Sequence, residues 1–339
     1  RRDDREEQGA VVLDVLRIAC VGDVMCGDGF SRLGWGIASQ IDKYGVDFLP
    51  NEINQIFRAH DVVLCNIECV LSDVGRHEHC LRSLHMRGRA QTAQYLSDWG
   101  ITAGHLANNH ILEHGLAAAR DTAENLRKAG ITVVGGGPND TFERELVAVQ
   151  RNVRGRSLSF IGACFHSGKY AFCPSTVERL LAKVEAEAGA GHLVIVSVHW
   201  GDELIDRPNL WQRKTAQQLR GAGATLVIGH HPHVFQGIDA SGGGLVAYSL
   251  GNFIFDSVSD RTDWSVILSI TLSEGQTVDF QVIPVVRGDD FRPLVVDEAK
   301  AESLLREVAR RNAMACSPVL ETAAEEAAYQ REVKSLDLQ

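Results

Sequence analysis

The amino-acid sequence predicts an α/β fold, a four-layer α/β/β/α sandwich in which two packed sheets lie between outer layers of helices. Up to about residue 241, short apolar runs alternate with helical patterns, as in repeated βα units. The later segments 244–256 and 265–288 instead show the pattern of strands and hairpins. A β-rich region after βα units favours two sheets packed face to face. The many glycines (32) and few aromatic residues (6%) also suit an α/β enzyme better than an all-β sandwich.

Each predicted element has a local signal in the sequence. Apolar runs predict strands over 15–24, 60–68, 131–136, 157–163, 192–200 and 224–231. Good helix formers followed by a glycine predict a helix over 115–130, and 89–100 has a second helical pattern. We expect a disordered leader over 1–14, one domain over 15–297 and a helical extension over 298–339, where Glu, Ala and Arg are abundant.

Composition and charge exclude several classes of protein. The net charge is −10 and the pI about 5.7, so the surface repels phosphate backbones and we do not expect nucleic-acid binding. No stretch of about 18 uninterrupted apolar residues occurs, so no membrane span is predicted. The charged residues 1–10 lack the apolar core of a secretion signal. The eight cysteines include no CxxC pair, and we expect reduced thiols in a cytoplasmic protein.

Side chains of the kind that bind metals lie at five predicted strand ends. They are Asp23, Glu68, Asn109, His110, His199, His231 and His233. Each one alone has an ordinary explanation as a turn residue, a helix cap or a hydrogen-bonded core histidine. Together they form a set of carboxylate, amide and imidazole ligands that suits Mn, Fe or Zn. Because functional groups gather at the carboxyl ends of strands in α/β sheets, we expect a single site for one or two divalent ions.

Six motifs, found in one order over about residues 18–256, carry a family resemblance: GDVM, NIE, LANNHILEHG, VHWGDE, VIGHHPHVFQGID and YSLGNFIFD. On these motifs the chain resembles the CapA group of bacterial capsule and poly-γ-glutamate synthesis proteins. That group lies within the calcineurin-like metallophosphoesterase superfamily. The resemblance implies a metallophosphoesterase-like fold with a metal centre at these motifs.

The superfamily resemblance also implies a role for each ligand. One ion is expected on Asp23 and His233, and the other on Asn109, His199 and His231. Glu68 resembles the bridging carboxylate and stands where the superfamily usually has aspartate. His110 resembles the histidine that stabilises developing charge or protonates the leaving group.

This sequence departs from the superfamily pattern at two places. Met25 stands where the first motif has histidine, and a thioether is a poor ligand for hard divalent ions. Glu203, four residues after His199, is a candidate replacement ligand, with a surface or outer position as the equal alternative. Glu113 stands where the group carries a nearby aspartate. We expect it to act with His110 in catalysis, by tuning the general acid or by contacting substrate.

A basic segment, 69–90, precedes the ANNH motif. It holds four arginines and three histidines on an otherwise acidic chain, and Arg87 and Arg89 are the expected anion contacts, with a solvated surface as the alternative. Three further predicted substrate contacts are Lys169, His230 and Asn252. His230 becomes a ligand instead if the His-x-His register shifts by one residue. Asn252 has an alternative role in a buried β-turn.

Three functions follow in order of preference. The first is a metal-dependent hydrolase or group-transfer enzyme that acts on a phosphoester or γ-glutamyl-type amide of an anionic small molecule or peptide. The second is a non-catalytic accessory subunit of a polyglutamate or capsule synthetase, which makes a ligase or synthetase a candidate partner. A nucleic-acid phosphodiesterase comes last because the chain is acidic.

Overall fold

The computed structural model describes residues 15–29, 32–75, 85–136, 146–166, 176–242, 244–257, 259–273, 276–316 and 323–336. The predicted leader over 1–14 lies outside these ranges, as do Lys169, Cys80 and Cys173. The strands are β1 (Val15–Val24), β2 (Val62–Ile67), β3 (Val70–Leu71), β4 (Arg87–Gly88), β5 (Ala103–His105), β6 (Thr132–Val134), β7 (Ala148–Val153), β8 (Arg156–Cys164), β9 (Leu193–His199), β10 (Ala224–His230), β11 (Phe235–Asp239), β12 (Leu245–Leu250), β13 (Asn252–Ile254), β14 (Trp264–Ser273), β15 (Gln276–Arg287) and β16 (Pro293–Val295). The helices are α1 (Ile37–Tyr44), α2 (Asn51–Arg58), α3 (Thr92–Asp98), α4 (Gly115–Lys128), α5 (Val177–Gly189), α6 (Leu210–Gly221), α7 (Glu298–Cys316) and α8 (Ala323–Leu336).

The first sheet joins a parallel half to an antiparallel half. Among the described strands its order is β16-β15-β14-β1-β2-β5-β6, and β13 pairs with the end of β1. Strands β1, β2, β5 and β6 run parallel, whereas β14, β15 and β16 extend the sheet in antiparallel fashion. These antiparallel strands are the β-rich region that the sequence predicts after residue 241.

The second sheet is parallel at its centre and antiparallel at both edges. Its described strands follow the order β11-β12-β10-β9-β8-β7. Strands β8, β9, β10 and β12 are parallel, and β7 and β11 flank them. Strands β9 and β10 are apolar almost throughout because layers cover both of their faces.

Apolar side chains pack the two sheets together and attach helices to both outer faces. Leu16 of β1 and Leu226 of β10 belong to one buried cluster between the sheets. Phe57 of α2 belongs to the cluster outside the first sheet, and Leu219 of α6 to the cluster outside the second. The predicted four-layer α/β/β/α sandwich is therefore confirmed.

The stretch after residue 297 contains α7 and α8. Helix α7 packs against β11 of the second sheet and reaches β15 of the first. Its buried residues include Leu304 and Val308. Across the described part of the chain, no helix combines the length and apolar character needed to cross a membrane. The described cysteines are free thiols.

Candidate metal centre

Two buried carboxylates lie at the carboxyl ends of β1 and β2. Asp23 pairs in register with Asn66, and Glu68 follows β2 directly. Nδ2 of Asn66 donates to Asp23 Oδ1 (2.8 Å) and to Glu68 Oε2 (3.2 Å), so one amide holds one oxygen of each carboxylate. The remaining oxygens, Asp23 Oδ2 and Glu68 Oε1, are buried and receive no well-aligned hydrogen bond from any described residue.

Close packing of β1 against the Gly251 turn fixes the position of Asp23. A Cβ on Gly22 would lie 1.8 Å from the carbonyl oxygen of Gly251, so this approach requires glycine. The backbone N–H of Asp23 donates to the same oxygen at 2.9 Å. Asp23 consequently stands in register with Asn252, the first residue of β13.

Imidazole nitrogens surround the unsatisfied oxygen of Glu68. Its Oε1 lies 3.8 Å from Nε2 of His233, 3.9 Å from Nε2 of His199 and 4.0 Å from Nε2 of His110. These distances are too long for hydrogen bonds. For His199 and His233, each distance fits a cation that binds the ring and Glu68 Oε1 together, because two atoms that each lie about 2.1 Å from a metal are at most about 4.2 Å apart.

The turn after β10 carries a buried histidine with no hydrogen bond to a described residue at either ring nitrogen. This residue is His231, whose ring centroid lies 4.7 Å from that of His199. His231 and His233 have positive φ angles of 99° and 61°, a conformation that side chains adopt at a cost and that clusters at functional sites. Burial and the neighbouring His233 hold the pKa of His231 well below its usual range, so it is neutral, the form that binds metals.

Adjacent asparagines in the ANNH motif have different tasks. Asn108 is buried, and its Oδ1 accepts from the backbone N–H groups of His110 (3.1 Å) and Ile111 (3.0 Å). It thereby fixes the turn that follows β5. Asn109 instead faces the centre, with its Oδ1 2.9 Å from Nε2 of His199. Burial, reinforced by His231, keeps the pKa of His199 well below normal.

Glu113 links two histidines at the edge of the centre. Its Oε2 lies 3.0 Å from Nδ1 of His110, and its Oε1 lies 3.0 Å from Nδ1 of His85. Burial opposes ionisation of Glu113, but these two contacts outweigh it and hold the pKa of its carboxyl below the usual range. The ionised carboxylate orients His110 so that Nε2 of this ring faces Glu68.

Charges inside the centre are arranged so that added positive charge is favourable. Burial, followed by the negative charge of Asp23, raises the pKa of Glu68 well above its usual range. Burial alone would lower the pKa of His233, yet Glu68 and Asp23 raise it to about 10. Nδ1 of His233 lies 2.9 Å from Asn252 Oδ1 and, with poorer alignment, 3.3 Å from Asp23 Oδ2. Its Nε2 is left to face Glu68.

The donor set fits divalent cations. Two groups of potential ligands, Glu68 with His231 and His233, and Asp23 with Glu68 and His199, each bring their ligand atoms within 4.8 Å of one another. Glu68 is common to both groups, as a bridging ligand would be. Unsatisfied buried oxygens beside neutral imidazoles are costly without a cation and suit Mn, Fe or Zn.

Sequence comparison assigns the family. Residues 17–257 match the family described as bacterial capsule synthesis protein PGA_cap. The chain belongs to this family. The matched region contains all seven predicted ligands and excludes α7 and α8.

Relatives of this PGA_cap chain are named for capsule and polymer synthesis. The PGA biosynthesis protein CapA of Bacillus subtilis (strain 168) is 28% identical over 306 residues, which cover 88% of this chain and 78% of the relative. The capsule biosynthesis protein CapA of Bacillus anthracis is 28% identical over 282 residues, covering 80% and 67%. A Mycobacterium tuberculosis (strain H37Rv) protein described as a polyglutamine synthesis accessory protein is 28% identical over 205 residues, covering 53% and 54%. The predicted resemblance to the CapA group is confirmed.

A solved structure shares the fold. A Staphylococcus aureus protein described as a 5′-nucleotidase, in complex with α-ketoglutarate, superposes with a TM-score of 0.54 at 15% identity. The alignment covers 87% of this chain but only 58% of the S. aureus chain, which is less than two thirds of its length. At this identity the likeness concerns the fold alone, which is metallophosphoesterase-like, as the motifs predict.

The PGA_cap chain packs Met25 into its apolar core. This residue is completely buried in the apolar cluster outside the first sheet, and its Sδ accepts from the backbone N–H of Gly27 at 3.1 Å. Glu203 is exposed, and its negative charge helps to raise the pKa values of both Glu68 and His233. Its neighbour Leu204 donates from its backbone N–H to the Pro232 carbonyl at 2.9 Å, which places Glu203 beside the His231–His233 turn, and its carboxylate belongs to neither group of potential ligands.

The predicted substrate contacts are dispersed. The guanidinium of Arg87 donates to the backbone carbonyls of Ser72, Val74 and Gly75 and thus holds a turn. The side chain of Arg89 is exposed and pairs with Asp42 at 2.6 Å. The guanidinium of Arg87 therefore serves the protein's own backbone, which does not favour an anion-binding role.

His230 and Asn252 lie against two of the predicted ligands, Asp23 and His233. His230 is completely buried, which does not fit the predicted substrate contact, and its Nε2 lies 3.0 Å from Ser197 Oγ. Its Nδ1 lies 3.7 Å from Asp23 Oδ1. Burial lowers the pKa of His230 to about 4 despite that carboxylate. Asn252 holds His233 as described above.

Sequence reasoning missed several contributors to the centre. Asn66 lies two residues before Glu68, and the period-two alternation of a strand could have placed both side chains on one face. Asn108 stands next to Asn109 in the ANNH motif, and the sequence alone offers no more than a helix-capping role for it. The ring of His166 lies 4.3 Å from that of His231, a contact between distant segments that local sequence does not signal.

Proposed function

We propose that this chain is a metal-dependent hydrolase or group-transfer enzyme. Its substrate is an anionic small molecule or peptide, and the bond is a phosphoester or a γ-glutamyl-type amide. One or two ions of Mn, Fe or Zn are the proposed cofactor. The amide alternative takes support from the relatives named for poly-γ-glutamate and capsule synthesis.

One observation carries the proposal. Glu68 Oε1 is buried and unsatisfied among the described residues, with the Nε2 atoms of two proposed ligands, His199 and His233, at 3.9 and 3.8 Å. A purely structural histidine cluster would close these distances to hydrogen bonds, since an unpaired buried carboxylate oxygen is destabilising. The spacing is therefore best explained by a cation that belongs among these atoms.

The proposed assignment follows the superfamily resemblance and divides the ligands around Glu68 differently from the two distance groups. Asp23 and His233 would hold one ion and Asn109, His199 and His231 the other, with Glu68 between them. Bound cations of this kind lower the pKa of a shared water and stabilise both the attacking and the leaving oxygen.

His110 is the proposed general acid. Its Nδ1 is fixed by the Glu113 carboxylate at 3.0 Å, so Nε2 is the atom presented to the centre. From there it can hold a proton for a leaving group.

Metal content and turnover test the proposal together. The full chain, purified without a metal-binding tag, is expected to hold one or two transition metals per molecule by plasma mass spectrometry. It is then assayed with bis-p-nitrophenyl phosphate and γ-glutamyl-p-nitroanilide, alongside His231→Ala, His199→Ala and the control His192→Asn, which alters a histidine at the end of α5. We expect both site variants to lose metal and turnover, whereas His192→Asn keeps both. Full metal content or full turnover in His231→Ala would refute the assignment.

The second candidate is a non-catalytic accessory subunit of a synthetase. It takes support from the relative described as a polyglutamine synthesis accessory protein. Co-purification of the chain with a ligase, together with normal stimulation of that ligase by His231→Ala, would favour this function. Loss of stimulation in the same variant would favour the enzyme.

A further inference from the structure

Helix α8 lies outside the residues that match the family, yet it packs on a loop of the metal centre. This loop, residues 201–209, is called the Glu203 loop here. It connects β9, which ends at the proposed ligand His199, to Asn209, the N-cap of α6. The loop lies between α8 and the His231–His233 turn.

On its outer side the Glu203 loop is held by Tyr329 and Glu332 of α8. Tyr329 is only 5% exposed. Its hydroxyl donates to Asp202 Oδ2 at 2.7 Å. Burial and this carboxylate raise the pKa of Tyr329 above its usual range, so the hydroxyl remains a donor. Arg207 pairs with Glu332 at 2.7 Å, and its guanidinium lies 5.3 Å from the centre of the Tyr329 ring.

On its inner side the loop is tied to the turn that carries the histidines. The backbone N–H of Leu204 donates to the carbonyl of Pro232 at 2.9 Å, directly between His231 and His233. Leu204 has a φ of 61°, a left-handed conformation that a leucine keeps only when its surroundings impose it. Nη1 of Arg261 adds a hydrogen bond to the Leu204 carbonyl at 3.0 Å.

The residue between these two attachments is Glu203. Asp202 is held by Tyr329 of α8 and by Nδ2 of Asn209 (2.9 Å), and Leu204 by the histidine turn, so the backbone of the intervening Glu203 is constrained on both sides. Met25, which stands where the superfamily motif has histidine, is buried in the apolar core, and its thioether is a poor ligand for hard divalent ions. A carboxylate beside the histidine turn is a chemically suitable replacement ligand for Mn, Fe or Zn.

We propose that α8 is a positioning element of the metal centre, in which Tyr329 fixes the Glu203 loop so that Glu203 supplies the ligand that Met25 does not. The proposal rests on the metal centre of the proposed function. Tyr329 acts through Asp202 and the loop and touches no reacting atom. The ligand is a divalent cation, and Tyr329 affects its binding through a single carboxylate, that of Glu203.

A double-mutant cycle tests the proposal by calorimetric titration of the metal-free full chain with Mn²⁺. Glu203→Gln should weaken one binding step about 10- to 100-fold, and Tyr329→Phe about tenfold. In the Glu203→Gln background, Tyr329→Phe should add no further loss, because its effect passes through Glu203. Tyr44→Phe, which removes a hydroxyl beside Lys43 on α1, is the matched control and should bind as the unmodified chain does.

Hydrogen exchange of the metal-free protein supplies a readout that does not depend on the cation. Tyr329→Phe should speed exchange of the Leu204 amide, while Tyr44→Phe leaves it unchanged. An unaltered Leu204 amide, or equal losses of Mn²⁺ affinity from Tyr329→Phe in both backgrounds, overturns the role of α8 and leaves the proposed function intact. Absence of Mn²⁺ binding by the unmodified chain overturns both.

Discussion

The two sheets contribute different chemistry to one site. The first sheet supplies oxygen, with Asp23 at the end of β1 and Glu68 after β2, and the second supplies nitrogen, with His199 on β9 and His231 after β10. The carboxylates lack donors on one side, and the buried imidazoles are neutral. Neither sheet alone satisfies its own polar groups. A cation would satisfy the carboxylates of the first sheet and the imidazoles of the second at once, and would link the sheets.

The largest expected effect comes from removing the carboxylate shared by both ligand groups. Glu68→Gln should weaken binding of every ion by more than about 100-fold, because both proposed sites lose an anionic ligand. Glu52→Gln, an exposed position on α2, is the control. Titration with Mn²⁺ and Zn²⁺ measures both. Retention of one tight ion in Glu68→Gln would show that the sheets hold metal separately.

Next in size is the loss of the amide that joins the two carboxylates. Asn66→Ala removes the donor to Asp23 and Glu68, and we expect metal affinity to fall about 10- to 100-fold. The matched control is Asn152→Ala on the exposed face of β7. The same titrations apply. Unchanged affinity in Asn66→Ala would mean that the strands alone orient the carboxylates.

Metal removal should reveal the link between the sheets as lost stability. An ion at 100 times its dissociation constant stabilises the folded state by about 2.7 kcal/mol. Chelation should therefore lower the melting temperature by about 4 °C for a chain of this size. The same chelator should leave His231→Ala almost unchanged. Calorimetry measures the melting temperature of both proteins with and without chelator. Equal shifts in the two proteins would contradict a stabilising ion at this site.

The smallest effect tests ion pairs within α7, a helix that contacts both sheets, and involves no metal. Helix α7 contacts both sheets, and Glu307 on it lies 2.7 Å from Arg310 and from Arg311. The hydrogen bond from Arg310 outweighs burial and, with Arg311, lowers the pKa of Glu307 from 4.5 to about 2. A depressed carboxyl pKa stabilises the folded state above pH 4.5, and this contribution is lost as the pH falls through 2.

Glu307→Gln should consequently lower the free energy of unfolding by about 0.5–1 kcal/mol at pH 7, a figure reduced for solvent screening. The difference from the unmodified chain should shrink steadily below pH 4.5. Urea unfolding at pH 7, 4.5 and 3 measures it. A difference that grows on acidification would have the wrong sign for this carboxylate.

Sequence predicted the layers and the ligand types because both have short-range signals. Apolar runs mark the buried strands, and polar residues directly after them, such as Asp23 and His199, mark the edge where strands end. The helix over 115–130 is present as Gly115–Lys128. The helix predicted over 89–100 is shorter, Thr92–Asp98, because turn contacts precede it.

Contacts between distant segments lay beyond the sequence. Nothing in the local sequence indicates that His85 and His110 both contact Glu113. Nor does it indicate that the Arg87 guanidinium donates to backbone carbonyls. The hydrogen bond from Tyr329 to Asp202 is likewise a tertiary contact. Such pairings depend on how loops fold over the sheets, and residue type alone does not encode them.

The distribution of the ligands along the chain has a consequence for biogenesis. Asp23 belongs to the first strand, whereas His233 follows the tenth and is held by Asn252 of the thirteenth. Contacts this distant in sequence form late, after loop closure has joined the two halves. During synthesis, the chain must emerge through Asn252 before these residues can meet. Metal acquisition at the proposed centre would therefore be a late step in maturation, and cation occupancy would report completed folding of the whole sandwich.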